Sequence, residues 1–370
     1  MSSEPAPSQP NGTGAIAADI IAAAAAAAAA PHTLTASYPA AEGAEQQQQQ
    51  QPTTTSSTTT SSSNDSSSIP SSLPTNNEEP ATATRTTTPP PLTSTIASLH
   101  EQVQTFLSES HPADSLLAAV QKQTRVTLDV FAAALDTYPL RNLSLSYNGG
   151  KDCLVMLVLF LASLHPSRRR PQTSTSTSTS TIDPATRPSQ ENQESEEDKP
   201  LTSIPAIYAL PPDPFPEVEE FVAWSARHYH LDIVKYTTDP PRTTIRSVFA
   251  DYLAQHPDVR AVFVGTRRTD PHGTALGHQN FTDSGWPKFL RYHPVIDWHY
   301  TEIWAFIRHL GLHYCSLYDQ GYTSLGGTAD TRPNPKLRVE SNSAQGDEEQ
   351  PRYRPAYELT EDLEERLGRN

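Results

Sequence analysis

Residues 144–152 read SLSYNGGKD, which places two glycines beside a lysine and a carboxylate. Gly149 and Gly150 allow the backbone to curl closely around a ligand, because glycine has no Cβ atom. Successive N–H groups and the positive end of a following helix can then point at one anion, with Lys151 as a mobile cation and Asp152 as a nearby carboxylate. The loop therefore predicts a phosphate site. The alternative is a glycine turn that only packs a helix against a sheet.

The loop differs from the Walker A loop of kinase-type proteins. A Walker A loop has a glycine five residues before the second glycine of this pair and a serine or threonine after the lysine. This chain has Leu145 and Asp152 at those positions. A kinase-type phosphate site is therefore not predicted.

The elements around the loop predict an α/β fold. Apolar residues at helical spacing over 95–136, interrupted at Pro112, indicate two helices. Strands then alternate with helices: strands at 143–147, 204–210, 231–236 and 259–265, and helices at 151–165, 217–229 and 242–255. This order predicts a doubly wound, mainly parallel sheet covered on both faces. Ligands of such sheets bind beyond the carboxyl ends of the strands.

A second loop whose residues could bind a ligand follows the fourth predicted strand and reads FVGTRRTDPHG. Gly265 permits a close backbone approach, while Arg267 and Arg268 can bind phosphate. Asp270 is placed to hold Mg²⁺ or a ribose hydroxyl. A solvated charged loop is the alternative, but two such loops at neighbouring strand ends favour a binding site.

The C-terminal third predicts an irregular region that binds a planar ligand. Residues 281–304 and 314–337 are rich in Trp, Tyr, Asp, Gly and Pro and nearly lack a long regular pattern. Aromatic faces, a few fixed polar groups and glycine-containing loops suit a large ring. Trp304 is the exception, because its spacing with Ile303 and Ile307 favours helix packing.

Composition separates low-complexity segments from the folded part of the chain. Residues 1–93 hold alanine, glutamine and Thr/Ser/Pro tracts, and residues 168–200 form a second polar and acidic stretch within the 370-residue chain. Such segments bury too little apolar surface to offset their ordering entropy, so we expect a disordered tail and a disordered insertion. Residues 94–370 are then long enough for one α/β domain, with 266–370 as its ligand-binding and C-terminal region.

Several protein classes are disfavoured by composition. The net charge of −15 argues against a nucleic-acid partner. Cys153 and Cys315 are the two cysteines, which predicts neither a disulfide framework nor a C-x-x-C zinc site. The apolar stretch at 16–30 contains Asp19 and is too short to span a membrane, and the first arginine is Arg85. We therefore expect a cytoplasmic monomer that binds small molecules and no membrane.

Taken together, the motifs resemble the eukaryotic FAD synthase (FMN adenylyltransferase) family of fungal type, in the PAPS-reductase-like branch of the PP-loop superfamily. The matching strings are SYNGGKD, FVGTRRTDPHG, TDSGWPKFLRYHPVIDWHYTEIW, YCSLYDQGYTSLGGTADTRPNP and the terminal ERLGR. The resemblance implies an adenine nucleotide alpha hydrolase-like fold. It also implies an Mg²⁺-dependent reaction of ATP with FMN that gives FAD and pyrophosphate without a protein nucleophile.

The resemblance also implies roles for individual residues. Asp152 and Asp270 are expected to be catalytic and to hold Mg²⁺, and Arg366 and Arg369 are expected to fold back over the phosphates. The expected ATP-binding residues are Ser146, Tyr147, Asn148, Gly149, Gly150, Lys151, Gly265, Arg267 and Arg268. The expected flavin-binding residues are Asp283, Trp286, Trp298 and Tyr322. A short helix over 360–367 would place the two arginines on roughly one face.

Three other interpretations remain open at this point. A PAPS or APS reductase shares the fold, but its redox chemistry needs a cysteine on a mobile C-terminal segment, and no cysteine follows Cys315. A tRNA-modifying relative would carry cysteine pairs and a basic surface. A non-catalytic flavin or adenine-nucleotide binding module would lack Asp152, Asp270 or the terminal arginines.

Overall fold

A computed structural model describes residues 89–168, 201–237, 244–340 and 351–369 of the chain. The tail and the insertion expected to be disordered lie outside these residues, apart from 89–93 and residue 168. The first described helix begins at Leu92, close to the expected domain boundary at residue 94.

Six strands form one sheet in the order β3-β2-β1-β4-β6-β5. Their bounds are Leu143–Ser146 (β1), Ile204–Leu210 (β2), Leu231–Thr237 (β3), Ala261–Val264 (β4), Gln279–Phe281 (β5) and Leu290–Tyr292 (β6). Neighbouring strands are parallel except for β5, which is antiparallel to β6. The predicted mainly parallel sheet is therefore confirmed. The chain winds from β1 outward to β3 and then returns to β4 on the other side of β1, so the strand order reverses at β1.

Six α-helices accompany the sheet in the described residues. Their bounds are Leu92–Ser108 (α1), Leu116–Thr137 (α2), Lys151–Ser163 (α3), Pro216–His228 (α4), Ile245–Gln255 (α5) and Tyr300–His309 (α6). These bounds agree with the predicted helices to within a few residues, and α6 contains Trp304, which is buried as expected.

The two faces of the sheet carry different helices. Ala261 and Phe263 of β4 belong to the core shared with α1, α2, α3, α4 and α6. Val262 and Val264 alternate with them and belong to the core under α5. Every residue of α3 except Asp152 is buried, because this helix lies between the sheet and the outer helices. The phosphate loop is thereby fixed to the most buried helix of the fold.

The C-terminal third is more regular than the sequence predicted. Residues 281–304 and 314–337 were expected nearly to lack a long regular pattern, but β6 and the first half of α6 lie in the first stretch. Short 3₁₀ turns at Ser316–Gln320 and Pro335–Leu337 lie in the second. The strands are only three residues long, so they leave no alternating pattern to recognise. Within the part of the chain that the structure describes, no helix has the length and apolarity needed to cross a membrane.

Candidate functional site

The loop between β1 and α3 lies where the strand order of the sheet reverses. Gly150 is the residue before the first turn of α3, and Gly149 has φ +75°, a conformation that favours glycine. A Cβ atom at Gly149 would come within 2.8 Å of Val222 Cγ2. The Asn148 side-chain oxygen accepts a hydrogen bond from Gly150 N at 3.0 Å. Tyr147 is buried and its hydroxyl donates to Ser225 Oγ at 2.9 Å, so this residue anchors the loop to α4.

Lys151 lies in a buried charge network. Its ammonium donates to Asp152 Oδ2 at 3.0 Å and to the carboxylate of Glu365, although only 2% of the residue is exposed. Arg267 is fully buried, with its Nε 2.7 Å from Asp152 Oδ1 and its Nη2 bonded to Glu365. The Tyr318 hydroxyl accepts from the backbone N–H of Lys151 at 2.9 Å. Loops distant in sequence therefore meet at the N-terminus of α3.

The two predicted metal-binding carboxylates have opposite electrostatic environments. Burial opposes ionisation of Asp152, but Arg267 and Lys151 outweigh it and hold the pKa of Asp152 below its ordinary value. Burial raises the pKa of Asp270 to about 6, and the nearby charges of Asp152 and Glu365 add to this rise while Arg267 opposes it. Asp270 also caps its own loop, because its Oδ2 accepts from Arg267 N at 2.8 Å. A cation beside Asp270 would therefore stabilise its ionised form.

One pocket opens above this network. Its wall combines the loops after β1 and β4, residues 324–326 and the C-terminal segment 362–369. Lys151, Asp152 and Asp270 line it from the strand ends, and Arg366 and Arg369 line it from the chain terminus. The structure thus brings together all four residues expected to be catalytic.

A smaller apolar pocket adjoins this one. Ile207, Ala209, Ile245, Phe249 and Val264 line it together with the backbone of the phosphate loop. Such a surface accommodates a planar ring rather than a charged group.

The C-terminal segment reaches the pocket by a route that the sequence did not predict. Residues 360–367 were expected to form a short helix, but the structure has a three-residue 3₁₀ turn at Asp362–Glu364 followed by turns. Asp362 accepts from Tyr300 N at 2.6 Å and thereby fixes the turn to the start of α6. Arg369 Nη2 donates to Asp330 Oδ2 at 3.3 Å. These distant contacts, rather than helical spacing, bring Arg366 and Arg369 to one pocket.

Gly265 and Arg268 have different positions relative to the pocket. Gly265 lines it, and a Cβ atom there would come within 2.8 Å of Cys153 Sγ, so glycine lets β4 approach α3 closely. Arg268 turns away from the pocket. Its Nε donates to Asp297 Oδ1 at 2.6 Å, and its Nη1 donates to the carbonyls of Thr274 and Leu276 at 3.0 Å. Arg268 therefore does not line the pocket, contrary to the expectation that it binds ATP.

The predicted flavin residues fall into two groups. Asp283 and Trp286 lie in the turn between β5 and β6, where Trp286 N donates to Asp283 O at 3.1 Å and the indole is half-buried. Tyr322 is half-buried, with its ring edge-on to Phe215 at 5.4 Å between centroids. These three side chains have exposed surface for a ligand.

The prediction that Trp298 contacts the flavin has to be corrected. It is 2% exposed, its indole N–H donates to Thr127 Oγ1 at 2.9 Å, and its ring packs edge-on against Phe306. The indole therefore belongs to the core between α2 and α6 and offers no face to a flavin. Its place in an aromatic-rich string suggested a ligand contact. Local composition does not distinguish a tryptophan of the core from one that binds a ligand.

Glu365 and Tyr318 are pocket residues that the sequence analysis did not single out. Both lie inside strings that carried the family resemblance, but neither has a spacing that marks it. Among the described residues, no group of three or more His, Cys, Asp or Glu side chains is arranged to hold a metal ion. Mg²⁺ is nevertheless commonly held by one or two carboxylates together with substrate phosphates. The carboxylates of this pocket fit that kind of site.

Comparisons with known proteins agree with the fold and the motifs. Residues 142–333 match the phosphoadenosine phosphosulfate reductase domain family. The chain is 34% identical to a probable FAD synthase of Schizosaccharomyces pombe over 74% of this chain and 88% of that protein. It is 32% identical to a probable FAD synthase of Caenorhabditis elegans over 64% of this chain, but it spans only 38% of that protein.

A solved structure has a related fold as well. The crystal structure of Candida glabrata FMN adenylyltransferase in complex with FAD and inorganic pyrophosphate superimposes with a TM-score of 0.65 at 25% identity. The match covers 77% of this chain and 99% of that one. With the identity to the fission yeast protein, these matches show that the chain belongs to the FAD synthase family and carries a phosphoadenosine phosphosulfate reductase domain.

Proposed function

We propose that this protein is an FAD synthase, which transfers the adenylyl group of ATP to the phosphate of FMN and releases pyrophosphate. The observation that carries the proposal is the single pocket in which the phosphate loop, two carboxylates and two C-terminal arginines meet. Family membership supplies the substrates, because relatives and a structural neighbour bear the names FAD synthase and FMN adenylyltransferase.

The ATP phosphates bind at the N-terminus of α3. Lys151 and the positive end of this helix supply the cationic groups, and the buried setting strengthens their attraction for phosphate. The N–H groups of Gly150 and Lys151 have protein acceptors, Asn148 and Tyr318. A phosphate that reaches the loop therefore replaces these acceptors. The apolar pocket beside the loop takes the adenine ring.

Asp270 and Asp152 fit a magnesium ion in two respects. Asp270 is a pocket carboxylate whose pKa burial raises to about 6, and the charges of Asp152 and Glu365 add to this rise. Asp152 lines the same pocket, although its oxygens already contact Lys151 and Arg267. We assign Asp270 as the principal ligand and Asp152 as the group that orients Lys151 and Arg267. A bound Mg²⁺ would neutralise charge on the phosphates of ATP.

The flavin binds beside the turn between β5 and β6. Trp286 and Tyr322 supply aromatic surface, and Asp283 supplies a polar group within 3.7 Å of Arg291 Nη2. The phosphate of FMN then points to the pocket where the ATP phosphates lie. A phosphate oxygen of FMN forms a bond to the α-phosphorus of ATP while the bond from that phosphorus to the bridging oxygen breaks. Pyrophosphate leaves with that oxygen.

The protein contributes position and charge rather than a nucleophile. The reaction gathers negative charge between two phosphorylated substrates, so cations fixed around the reacting phosphates stabilise the transition state. Arg366 and Arg369 of the C-terminal segment line the same pocket as Lys151. Several cations around one pocket suit a reaction between two anions.

The test is a product assay with purified protein, ATP, Mg²⁺ and FMN. We expect FAD and pyrophosphate in equal amounts, with riboflavin a far poorer acceptor because it has no phosphate oxygen. Omitting FMN controls for ATP hydrolysis. Consumption of riboflavin with ADP as product would contradict the proposal. We also propose that the enzyme works as a cytoplasmic monomer, which light scattering and fractionation of cells test.

A further inference from the structure

Glu365 connects the C-terminal segment to the two loops that follow β1 and β4. The residue is 5% exposed, and its two carboxylate oxygens contact Lys151 Nζ and Arg267 Nη2 separately. A buried carboxylate is costly unless it is paired, and here two buried cations pair it. The following residue is Arg366, which lines the pocket.

The main chain of the same segment is held by other groups. Thr323 Oγ1 donates to the Glu365 carbonyl at 2.6 Å, and Asn334 Nδ2 donates to the Glu364 carbonyl at 2.8 Å. Thr323 and Asn334 are themselves buried. The segment therefore has attachments that do not depend on the Glu365 side chain. A change confined to that side chain can alter the site while the segment remains docked.

We propose that Glu365 is a positioning residue that sets Lys151 and Arg267 against the C-terminal arginine segment, an inference that rests on the proposed function. Its carboxylate fixes Lys151, which lines the pocket, and the fully buried Arg267, and through the adjacent backbone it sets the approach of Arg366. Its negative charge also offsets part of the positive charge that faces the phosphates. Pyrophosphate consequently binds less tightly than the two cations alone would hold it, which favours product release.

The decisive variant is Glu365→Gln, which keeps the shape and removes the charge. We expect kcat to fall about tenfold or more, because misplaced groups around reacting phosphates are costly. We expect the dissociation constant of magnesium pyrophosphate, measured by titration calorimetry, to decrease severalfold. A side chain that only stabilises the fold would lower Tm and leave both quantities unchanged. That result, or weaker pyrophosphate binding, would overturn the proposal.

Two variants keep the test sharp. Glu365→Asp retains the charge on a shorter side chain, so kcat should fall while pyrophosphate affinity stays at the wild-type value; this arm applies even when Glu365→Gln fails to fold. Glu364→Gln is the matched control, since Glu364 pairs with the exposed Lys336 at 2.7 Å. It should leave kcat and pyrophosphate affinity unchanged. Loss of kcat in this control equal to that of Glu365→Gln would count against the specific role of Glu365.

A double-variant cycle tests the link to Arg366. When Glu365 acts through Arg366, adding Glu365→Gln to Arg366→Ala should lower kcat little further. Fully multiplicative losses would refute the link. If the wild-type protein made no FAD, the proposed function would be refuted. If the wild type were active and Glu365→Gln had the same kcat and pyrophosphate affinity, only this inference would be refuted.

Discussion

The phosphate loop and the C-terminal segment line one pocket, but they are built differently. The loop is local: Gly149, Asn148 and the start of α3 determine its shape within a few residues. The segment 362–369 is held by partners distant in sequence, such as Asn334 and Tyr300. A site for the leaving phosphates can therefore be encoded in one short motif. The groups that complete it depend on the packing of the whole C-terminal third.

This difference predicts where changes should act. Substitutions in the strand-end loops should change charge and metal binding at fixed geometry. Substitutions in the C-terminal segment should change the geometry of catalytic groups.

The largest effect is expected for Asp270→Asn and Asp152→Asn. Each should lower turnover by roughly two orders of magnitude, as for loss of one well-placed electrostatic group. Their stabilities should differ. The raised pKa of Asp270 means that its ionised form costs folding free energy at neutral pH, so Asp270→Asn should leave Tm unchanged or raise it. Asp152 has a lowered pKa, so Asp152→Asn should lower Tm.

Thermal melts and initial rates of both variants check this contrast, with the exposed Asp251→Asn on α5 as a control. The pH dependence adds a second measurement. Wild-type activity at limiting Mg²⁺ should decline as the pH falls through about 6, because Asp270 becomes protonated. Asp270→Asn should lose this decline from its remaining activity. Retention of the same pH profile in the variant would assign the titration to another group.

The next effect concerns Arg366 and Arg369. Arg366→Ala should lower kcat roughly tenfold to hundredfold and change the KM values for ATP and FMN less, as expected for a contact strengthened in the transition state. Arg369→Ala should also lower Tm, because Arg369 bonds Asp330 and packs over Gly326. Lysine should rescue either site only in part, since it lacks the guanidinium fork.

Steady-state kinetics with the exposed Arg352→Ala as a matched control measure this effect. Arg352 lies in the last described stretch, residues 351–369, and faces solvent. Unchanged FAD synthesis after removal of residues 366–370 would show that the segment has no catalytic role.

The same division explains how much the sequence could reveal. The alternation of strands and helices predicted β1 to β4 and α1 to α5, because these elements show either a hydrophobic period or a continuous apolar run, as in α3 and β4. The phosphate loop could be recognised from the sequence because glycine and lysine at that spacing seldom serve another role. The short strands β5 and β6 have no measurable period, and the turn at Asp362–Glu364 resembles a helix in composition. The role of Glu365 can be inferred only from the folded structure, in which its carboxylate contacts Lys151 and Arg267.

A smaller effect should separate two tryptophans of one sequence string. Trp286→Ala should raise KM for FMN severalfold, because the half-buried indole in the turn supplies ring contact. Trp298→Phe should lower Tm and leave KM for FMN unchanged, because it removes the bond to Thr127 from the core. The reverse pattern would restore Trp298 to the flavin site and remove Trp286 from it.

The smallest effect is expected for removal of the segments outside the described residues. Deleting residues 1–88 should leave Tm and activity unchanged, since low-complexity sequence contributes no core. The cut has to spare Pro90 and Leu92, because the Pro90 carbonyl lies 2.7 Å from His230 Nε2 and Leu92 is buried. Replacing residues 171–198 with a short Gly/Ser linker closes a smaller loop between α3 and β2. Loop-closure entropy then predicts a slight stabilisation, about 1 kcal/mol or less. Chemical denaturation of both deletions measures this effect. A large loss of stability in either would show that these segments pack on the fold.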